Sequence, residues 1–296
     1  MGLLPTTRSA PITELGRYSI LLYGATKAGK TTLAAGSPDA VFLSCERGAQ
    51  ALGVYELPIP DWPTLVAAVE ELRQSKRFAT VVIDTIDLAW RYCQDAYLRK
   101  IGKDVEPDDY GRTASRIKSE FHRVLAQLAA QPRGLVLISH QTEREVKSRT
   151  GSYHIITPSL PSAPREIVQG MCDLILYLEV APEMRDGAPT GQVLRRLRTK
   201  PSATYDAGDR TGRLSDPVPA TYAALAADLT RALSECAAVA TPQPEPAKAP
   251  TLPPVEATAP IPDPAPSQEA VSAPEKPAAP IVPPPMDPTP KPRRRR

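Results

Sequence analysis

Cysteine is scarce in this 296-residue chain, and its cysteines stand far apart. Cys45, Cys93, Cys172 and Cys236 form no CxxC pair and show no spacing typical of metal ligands. This pattern argues against a disulfide framework and against a cysteine-based metal site. Reduced thiols in a cytoplasmic protein, most of them in the core, are the expected interpretation.

Long apolar runs and a strong net charge are also lacking. No apolar run approaches the ~18 residues of a membrane helix, and the N-terminus has no signal-peptide pattern. The sequence therefore predicts neither a membrane span nor secretion. The formal net charge is only +3, so overall electrostatics do not indicate a nucleic-acid partner, and any such case depends on local clusters.

Proline is abundant but unevenly distributed. Of the 35 prolines, 19 lie in residues 241–296, where no aromatic residue occurs and where the chain ends in four arginines. Such a segment buries too little apolar surface to offset its ordering entropy. We therefore expect an ordered domain over residues 1–236 and a disordered Pro- and Ala-rich tail with a basic C-terminus over residues 237–296.

A phosphate-binding loop of the form GxxxxGK[ST] lies near the N-terminus. Its residues are Gly24, Ala25, Thr26, Lys27, Ala28, Gly29, Lys30, Thr31 and Thr32. It follows an apolar run and precedes a helix-compatible stretch, as this motif requires. The two glycines let successive N–H groups face the phosphates, Lys30 reaches the β- and γ-phosphate oxygens, and the Thr31 hydroxyl ligates Mg²⁺. The predicted cofactors are ATP and Mg²⁺.

Strand and helix signals alternate after this loop. Strand-like runs at 40–44, 79–84, 135–139 and 174–180 are interleaved with helical periodicity at 62–73, 86–101 and 117–128. This alternation predicts an α/β fold, with a mostly parallel sheet flanked by helices. In such sheets, the carboxyl ends of the strands form the site.

Asp84 closes an apolar strand of Walker B form, Thr80-Val81-Val82-Ile83-Asp84. A carboxylate at this strand end can hold the Mg²⁺ coordination shell. The alternative is that Asp84 only caps the following helix. The phosphate loop upstream favours the metal role.

Hydrolysis also requires a group that orients or deprotonates the attacking water. Thr85, not glutamate, follows Asp84, so the base must come from elsewhere. Glu46 follows the neighbouring strand and is the first candidate, against the alternative of a solvated loop glutamate. Asp87 is its rival, although one helical turn on it is expected to face away or to cap the helix.

The order of these motifs resembles the RecA superfamily over roughly residues 20–214. Within it, the chain is most similar to short RecA-like ATPases of phages, a group that includes single-strand annealing recombination proteins. Besides the phosphate loop and the Walker B strand, the resemblance rests on two later segments, residues 137–140 (LISH) and residues 198–212, which contain RTKP and YDAGDRTG.

The resemblance implies roles for residues beyond the nucleotide motifs. His140 takes the sensor position that couples the γ-phosphate to the following loop. Residues 141–152 then correspond to a DNA-binding loop with Arg144, Lys147 and Arg149 as phosphate contacts, and Tyr153 or His154 could stack on a base. A plain solvated loop is the alternative. Residues 102–113 match the other DNA-facing loop.

Two further cations are implied to act between subunits. Arg198 and Lys200 lie on a strand-like segment where RecA-type assemblies place cations on the nucleotide of the adjacent subunit. This predicts a homo-oligomer with nucleotide at subunit interfaces, and the alternative is a strand with a solvated basic face. A single-strand-binding protein or another replication or recombination partner could engage the tail.

The sequence as a whole therefore predicts a RecA-like, Mg²⁺-dependent ATPase that binds single-stranded DNA and acts in phage-type recombination or strand annealing. The expected location is the bacterial cytoplasm, with a phage or prophage as a source. The alternative is a nucleotide-gated binding or loader protein whose slow hydrolysis switches partner affinity. A small-molecule kinase is disfavoured, because no basic lid cluster or acceptor pocket can be identified.

Overall fold

The computed structural model describes residues 4–5, 7, 10–148 and 151–239. The prediction of a disordered tail falls almost entirely outside these residues, and so does Arg149. The last described helix runs to Val239, which is past the predicted domain end at residue 236.

The described elements alternate between strands and helices over most of the chain. The strands are β1 (Ser19–Gly24), β2 (Ala40–Ser44), β3 (Tyr55–Pro58), β4 (Thr80–Asp84), β5 (Gly134–Ser148), β6 (Gly151–Pro158), β7 (Leu174–Arg185), β8 (Ala188–Arg198), β9 (Gly208–Asp209) and β10 (Val218–Pro219). The helices are α1 (Lys30–Ala34), α2 (Trp62–Gln74), α3 (Ile86–Lys100), α4 (Arg112–Ala129), α5 (Ser162–Met171) and α6 (Tyr222–Val239), preceded by a short 3₁₀ turn at Leu15–Arg17.

The sheet has the order β10-β8-β7-β1-β5-β4-β2-β3, and the strands from β7 to β3 run parallel. β1, which leads into the phosphate loop, pairs with β5 and β7, so β5 separates it from β4. This confirms the predicted α/β fold with a mostly parallel sheet.

Helices cover both faces of the sheet. Successive residues of β1 point to opposite sides, with Leu21 in the cluster formed with α2, α3, α4 and α5. Ile20 and Leu22 lie in the second cluster, which includes residues of α1 and α6. Because both faces are buried, the central strands are continuous apolar runs rather than alternating ones.

Two hairpins extend beyond the parallel part of the sheet. β5 continues past His140 and pairs with β6 from Gln141 to Ser148, while β7 continues to Arg185 and pairs with β8. The prediction of a loop over residues 141–152 is therefore wrong for most of that segment. Both sides of the hairpin are largely exposed, so its strands need no apolar face and show no period-two pattern.

None of the described helices combines the length and apolar character that crossing a membrane requires.

Candidate nucleotide site

The phosphate loop joins β1 to α1 in a conformation that depends on its glycines. Gly29 has a φ of 106°, a value that side-chain-bearing residues rarely adopt. Gly24 is required for a different reason, since a Cβ there would lie 2.7 Å from the backbone oxygen of Leu178 in β7. The loop is therefore fixed by close packing against the neighbouring strand as well as by its turn.

Lys30 is buried at the start of α1 and is 6% exposed. Its Nζ donates hydrogen bonds to the backbone oxygens of Gly24 at 3.0 Å and Ala25 at 2.9 Å. Burial lowers the pKa of Lys30, while the negative charge of Asp84 acts in the opposite direction. A phosphate group bound at the loop would favour the charged form of this lysine further.

Thr31 and Asp84 are brought together across the sheet. The Thr31 hydroxyl donates to Oδ2 of Asp84 at 2.8 Å, and Asp84 is 2% exposed at the end of β4. Burial raises the pKa of Asp84, although this hydrogen bond and the charge of Lys30 lower it. These two oxygens are the pair that the sequence predicted as Mg²⁺ ligands.

The space beside this pair is compatible with a hard cation. Gly48 borders it, and a Cβ at Gly48 would lie 3.5 Å from Oδ2 of Asp84 and 3.6 Å from Oγ1 of Thr31. Within the described ranges, no group of three or more His, Cys, Asp or Glu residues could hold a metal alone. The donor set therefore fits Mg²⁺, which is bound by one or two protein oxygens together with nucleotide phosphates.

Glu46 lies two residues past the end of β2 and faces this pair. Its backbone N–H donates to the backbone carbonyl oxygen of Asp84 at 3.2 Å, and its charge contributes to the raised pKa of Asp84. Its carboxylate Oε1 lies 3.2 Å from Nε2 of His140, which stands opposite Gly24 in the β1–β5 register. The structure thus brings the candidate base and the candidate sensor into contact.

Asp87, the rival base, neither faces away nor caps its helix. Its Oδ1 accepts hydrogen bonds from the hydroxyls of Ser139 at 2.9 Å and Ser159 at 2.6 Å. Its Oδ2 accepts the backbone N–H of His140 at 3.1 Å. Ser139 and His140 precede the β5–β6 hairpin and Ser159 follows it, so one carboxylate fastens both ends of the hairpin.

Arg195 is a cation at the phosphate loop that the sequence analysis did not identify. It lies on β8, and its Nε donates to the backbone oxygen of Ala28 at 3.0 Å. Its Cδ is 4.0 Å from where a Cβ of Gly29 would be. The basic run Arg195-Arg196 was visible in the sequence, but only the β7–β8 hairpin places its first member on the loop.

The two cations predicted to act on a neighbouring subunit are paired within their own chain. Arg198 lies 2.9 Å from Glu179 and 3.5 Å from Asp216. Lys200 lies 3.2 Å from a buried oxygen of Asp209. Their action between subunits remains a prediction.

The predicted DNA contacts are not all brought together. Arg144 and Lys147 are exposed on β5, but they are an odd number of residues apart, so their side chains leave opposite faces of the hairpin. Arg149 lies outside the described residues, and Tyr153 and His154 follow on β6. The second predicted loop, residues 102–113, is irregular up to Gly111, whereas Arg112 and Thr113 begin α4. Its contact with DNA remains a prediction.

The chain matches the model of a known protein family. The model of a family described as an AAA domain matches residues 17–211, about two thirds of the chain. The matched span includes the phosphate loop, Asp84, Glu46, His140 and Arg195. A comparison with curated proteins found no match.

Proposed function

This chain belongs to the AAA domain family, a type of P-loop NTPase domain, and from that premise we propose that it is a Mg²⁺-dependent ATPase coupled to single-stranded DNA. The nucleotide lies on the loop from Gly24 to Thr32. The DNA lies on the β5–β6 hairpin.

The residues of the site divide the chemistry among them. Lys30 holds the β- and γ-phosphates, and Thr31 with Asp84 holds Mg²⁺, which neutralises developing phosphate charge when bound. Glu46 accepts a proton from the attacking water as general base. Its position two residues after β2 sets it beside Asp84 without making it part of the Thr31–Asp84 pair.

One observation carries the coupling to DNA, and it is the contact between Glu46 and His140 at 3.2 Å. His140 begins the segment of β5 that leaves the sheet and becomes the hairpin. A change in the position or charge of the Glu46 carboxylate on nucleotide hydrolysis can therefore reach the proposed DNA-binding hairpin through one side chain, that of His140.

The cellular role is proposed from the same arrangement and from the resemblance to RecA-like phage proteins. We place the ATPase in phage-type recombination or strand annealing, as a homo-oligomer with nucleotide at subunit interfaces. The proline-rich tail supplies a means of tethering a single-strand-binding protein or another replication partner.

The test is the ATPase rate with and without single-stranded DNA, for wild type, Lys30→Ala and Glu46→Gln. Turnover should rise with DNA and be lost in both variants, while Glu46→Gln keeps nucleotide binding because it leaves the phosphate loop and its metal pair intact. Slow turnover that DNA does not stimulate and that Glu46→Gln does not alter would instead indicate a nucleotide-gated loader.

A further inference from the structure

The β5–β6 hairpin has two unlike faces. Side chains alternate along each strand, and residues paired across the strands share a face. One face carries Thr142, Arg144 and Val146 with Tyr153, Ile155 and Thr157, and we call it the Arg144 face. The opposite face carries Glu143, Glu145 and Lys147 with Ser152, His154 and Ile156. Among the described residues of the hairpin, every acidic side chain is on the second face.

Arg165, in the first turn of α5, lies beneath the root of the Arg144 face. It is 8% exposed, and its two terminal nitrogens donate to the hydroxyls of Thr157 at 3.3 Å and Ser162 at 3.5 Å. Thr157 belongs to the Arg144 face, so the guanidinium is directed at that face. Its hydrogen-bond partners are uncharged hydroxyls.

The positive charge of Arg165 is poorly compensated. Within the described residues, neither Arg165 nor Arg144 forms an ion pair with a carboxylate. Burial lowers the pKa of Arg165, and the charge of Arg144 lowers it further, against weaker opposite effects of Asp206 and Glu166. A buried cation that is repelled by a neighbouring exposed cation is unfavourable unless an anion joins the two.

We propose that Arg144 and Arg165 together bind a phosphate group of single-stranded nucleic acid that lies along the Arg144 face, with a base stacked on Tyr153. This rests on the proposed function, because it requires single-stranded nucleic acid to be the ligand. Arg144 supplies an exposed guanidinium and Arg165 supplies a buried one. Each guanidinium presents paired N–H donors whose geometry matches phosphate oxygens.

Tyr153 is placed to take the adjoining base. It is 44% exposed and pairs with Val146 of β5. Val146 is two residues from Arg144 along the strand, which is a distance of roughly 7 Å. Aromatic stacking next to a phosphate contact is the usual arrangement for single strands. The Arg144 face therefore offers both kinds of contact side by side.

The opposite face is unsuited to a phosphate backbone. Glu143 and Glu145 of β5 lie on this opposite face, and their negative charges repel phosphates. Lys147 is the one cation that β5 contributes to that face. The structure therefore separates Arg144 from Lys147, although the sequence grouped them.

The test measures binding of labelled oligothymidylate and oligouridylate by fluorescence anisotropy over a range of salt concentrations. The variants are Arg144→Ala, Tyr153→Ala, Arg165→Gln and Arg165→Lys, and Lys147→Ala is the matched control with the same charge change on the opposite face. Arg144→Ala should weaken binding about tenfold and reduce the salt slope by about 0.7, the value for one lost single-strand phosphate contact. Tyr153→Ala should weaken binding with the slope unchanged, and Lys147→Ala should stay within about twofold of wild type.

The results distinguish a failure of the proposed function from a failure of the Arg144 face alone. If wild type binds neither oligonucleotide, the proposed coupling to nucleic acid fails and this inference fails with it. If wild type binds but Lys147→Ala weakens binding as much as Arg144→Ala, the proposed function stands and the Arg144 face is refuted. Arg165→Lys should retain more affinity than Arg165→Gln. If both variants lose their native circular dichroism, Arg144→Ala and Tyr153→Ala still decide the outcome.

Discussion

Nε2 of His140 lies 3.2 Å from Oε1 of Glu46, which links the end of the parallel part of β5 to the loop that follows β2. Both side chains are about one-third exposed, so the contact lies at the rim of the nucleotide site rather than in its interior. A rim contact can break and re-form without disturbing the core, as a coupling element requires.

Replacing His140 should uncouple turnover from DNA. In His140→Ala, we expect the stimulation of ATPase by single-stranded DNA to fall towards none, because Glu46 loses its link to β5. His140→Gln should keep part of the stimulation, since an amide N–H can still donate to Glu46. The measurement is the ratio of turnover with and without oligonucleotide, and an unchanged ratio in His140→Ala would contradict the proposed link.

Asp87→Asn should loosen the root of the β5–β6 hairpin. The substitution removes charge-assisted hydrogen bonds from Ser139, Ser159 and the His140 N–H, and we expect a loss of about 2 kcal/mol in the free energy of unfolding. Asp95→Asn, on the same helix α3, is the matched control and should change stability by less than about 0.5 kcal/mol. Urea denaturation of both variants provides the comparison. Equal stabilities would show that Asp87 does not fasten the hairpin.

Arg195→Ala should slow ATP hydrolysis on the order of 10²-fold, which is the usual cost of removing one preorganised hydrogen-bond donor that stabilises charge in the transition state. The reason is that its Nε bond to Ala28 holds the rest of the guanidinium against the loop that binds the phosphates. Arg196→Ala is the control, because Arg196 pairs with Glu179 instead.

Mixing experiments show whether Arg195 acts within its own chain. Adding Lys30→Ala protein, which has an intact Arg195, to Arg195→Ala protein should not restore turnover. The corresponding mixture with Arg198→Ala should recover activity if Arg198 acts between subunits, as the sequence predicts. Recovery with Arg195→Ala would assign that residue to a neighbouring subunit's site.

The affinity for Mg²⁺ with nucleotide should depend on pH through Asp84. Burial raises the pKa of Asp84 above its usual 3.8, so the protonated form persists to higher pH than in an ordinary aspartate. Mg²⁺ requires the carboxylate, and its affinity should therefore fall on acidification sooner than for an exposed site. The same raised pKa means that the metal-free protein loses stability from this group as pH rises through that range. Titration of Mg²⁺ with a fluorescent ATP analogue should show the dependence, and Asp84→Asn should abolish it.

The nucleotide motifs were predictable because their residue types are specific to their task. A glycine that needs positive φ, a lysine and a hydroxyl at fixed spacing, and an acid at the end of an apolar strand define their own chemistry. The contact of Thr31 with Asp84 follows once β1 and β4 lie in one parallel sheet with β5 between them.

The positions of the arginine and lysine side chains were less predictable, because the residues next to an arginine in the sequence do not show which group it contacts in the fold. Arg195 reaches the loop only because β7 and β8 form a hairpin beside β1. Arg165 gives no signal in the sequence because it is the one cation of α5, and its burial follows from packing against Thr157. Conversely, Arg198 and Lys200 look free in the sequence but have carboxylates beside them in the fold.

β5 is a single unbroken strand from the buried centre of the sheet to the end of the hairpin at Ser148. Beyond His140 it extends eight residues, or about 27 Å at the usual rise per residue. A rotation of this strand about His140, where Glu46 contacts it, would therefore displace the end of the hairpin more than the residues near His140. A tilt of about 5° at His140 would move the far end by roughly 2 Å over that length. If the loss of the Glu46–His140 contact produces such a tilt, the displacement at the end of the hairpin is larger than the change at Glu46 that causes it.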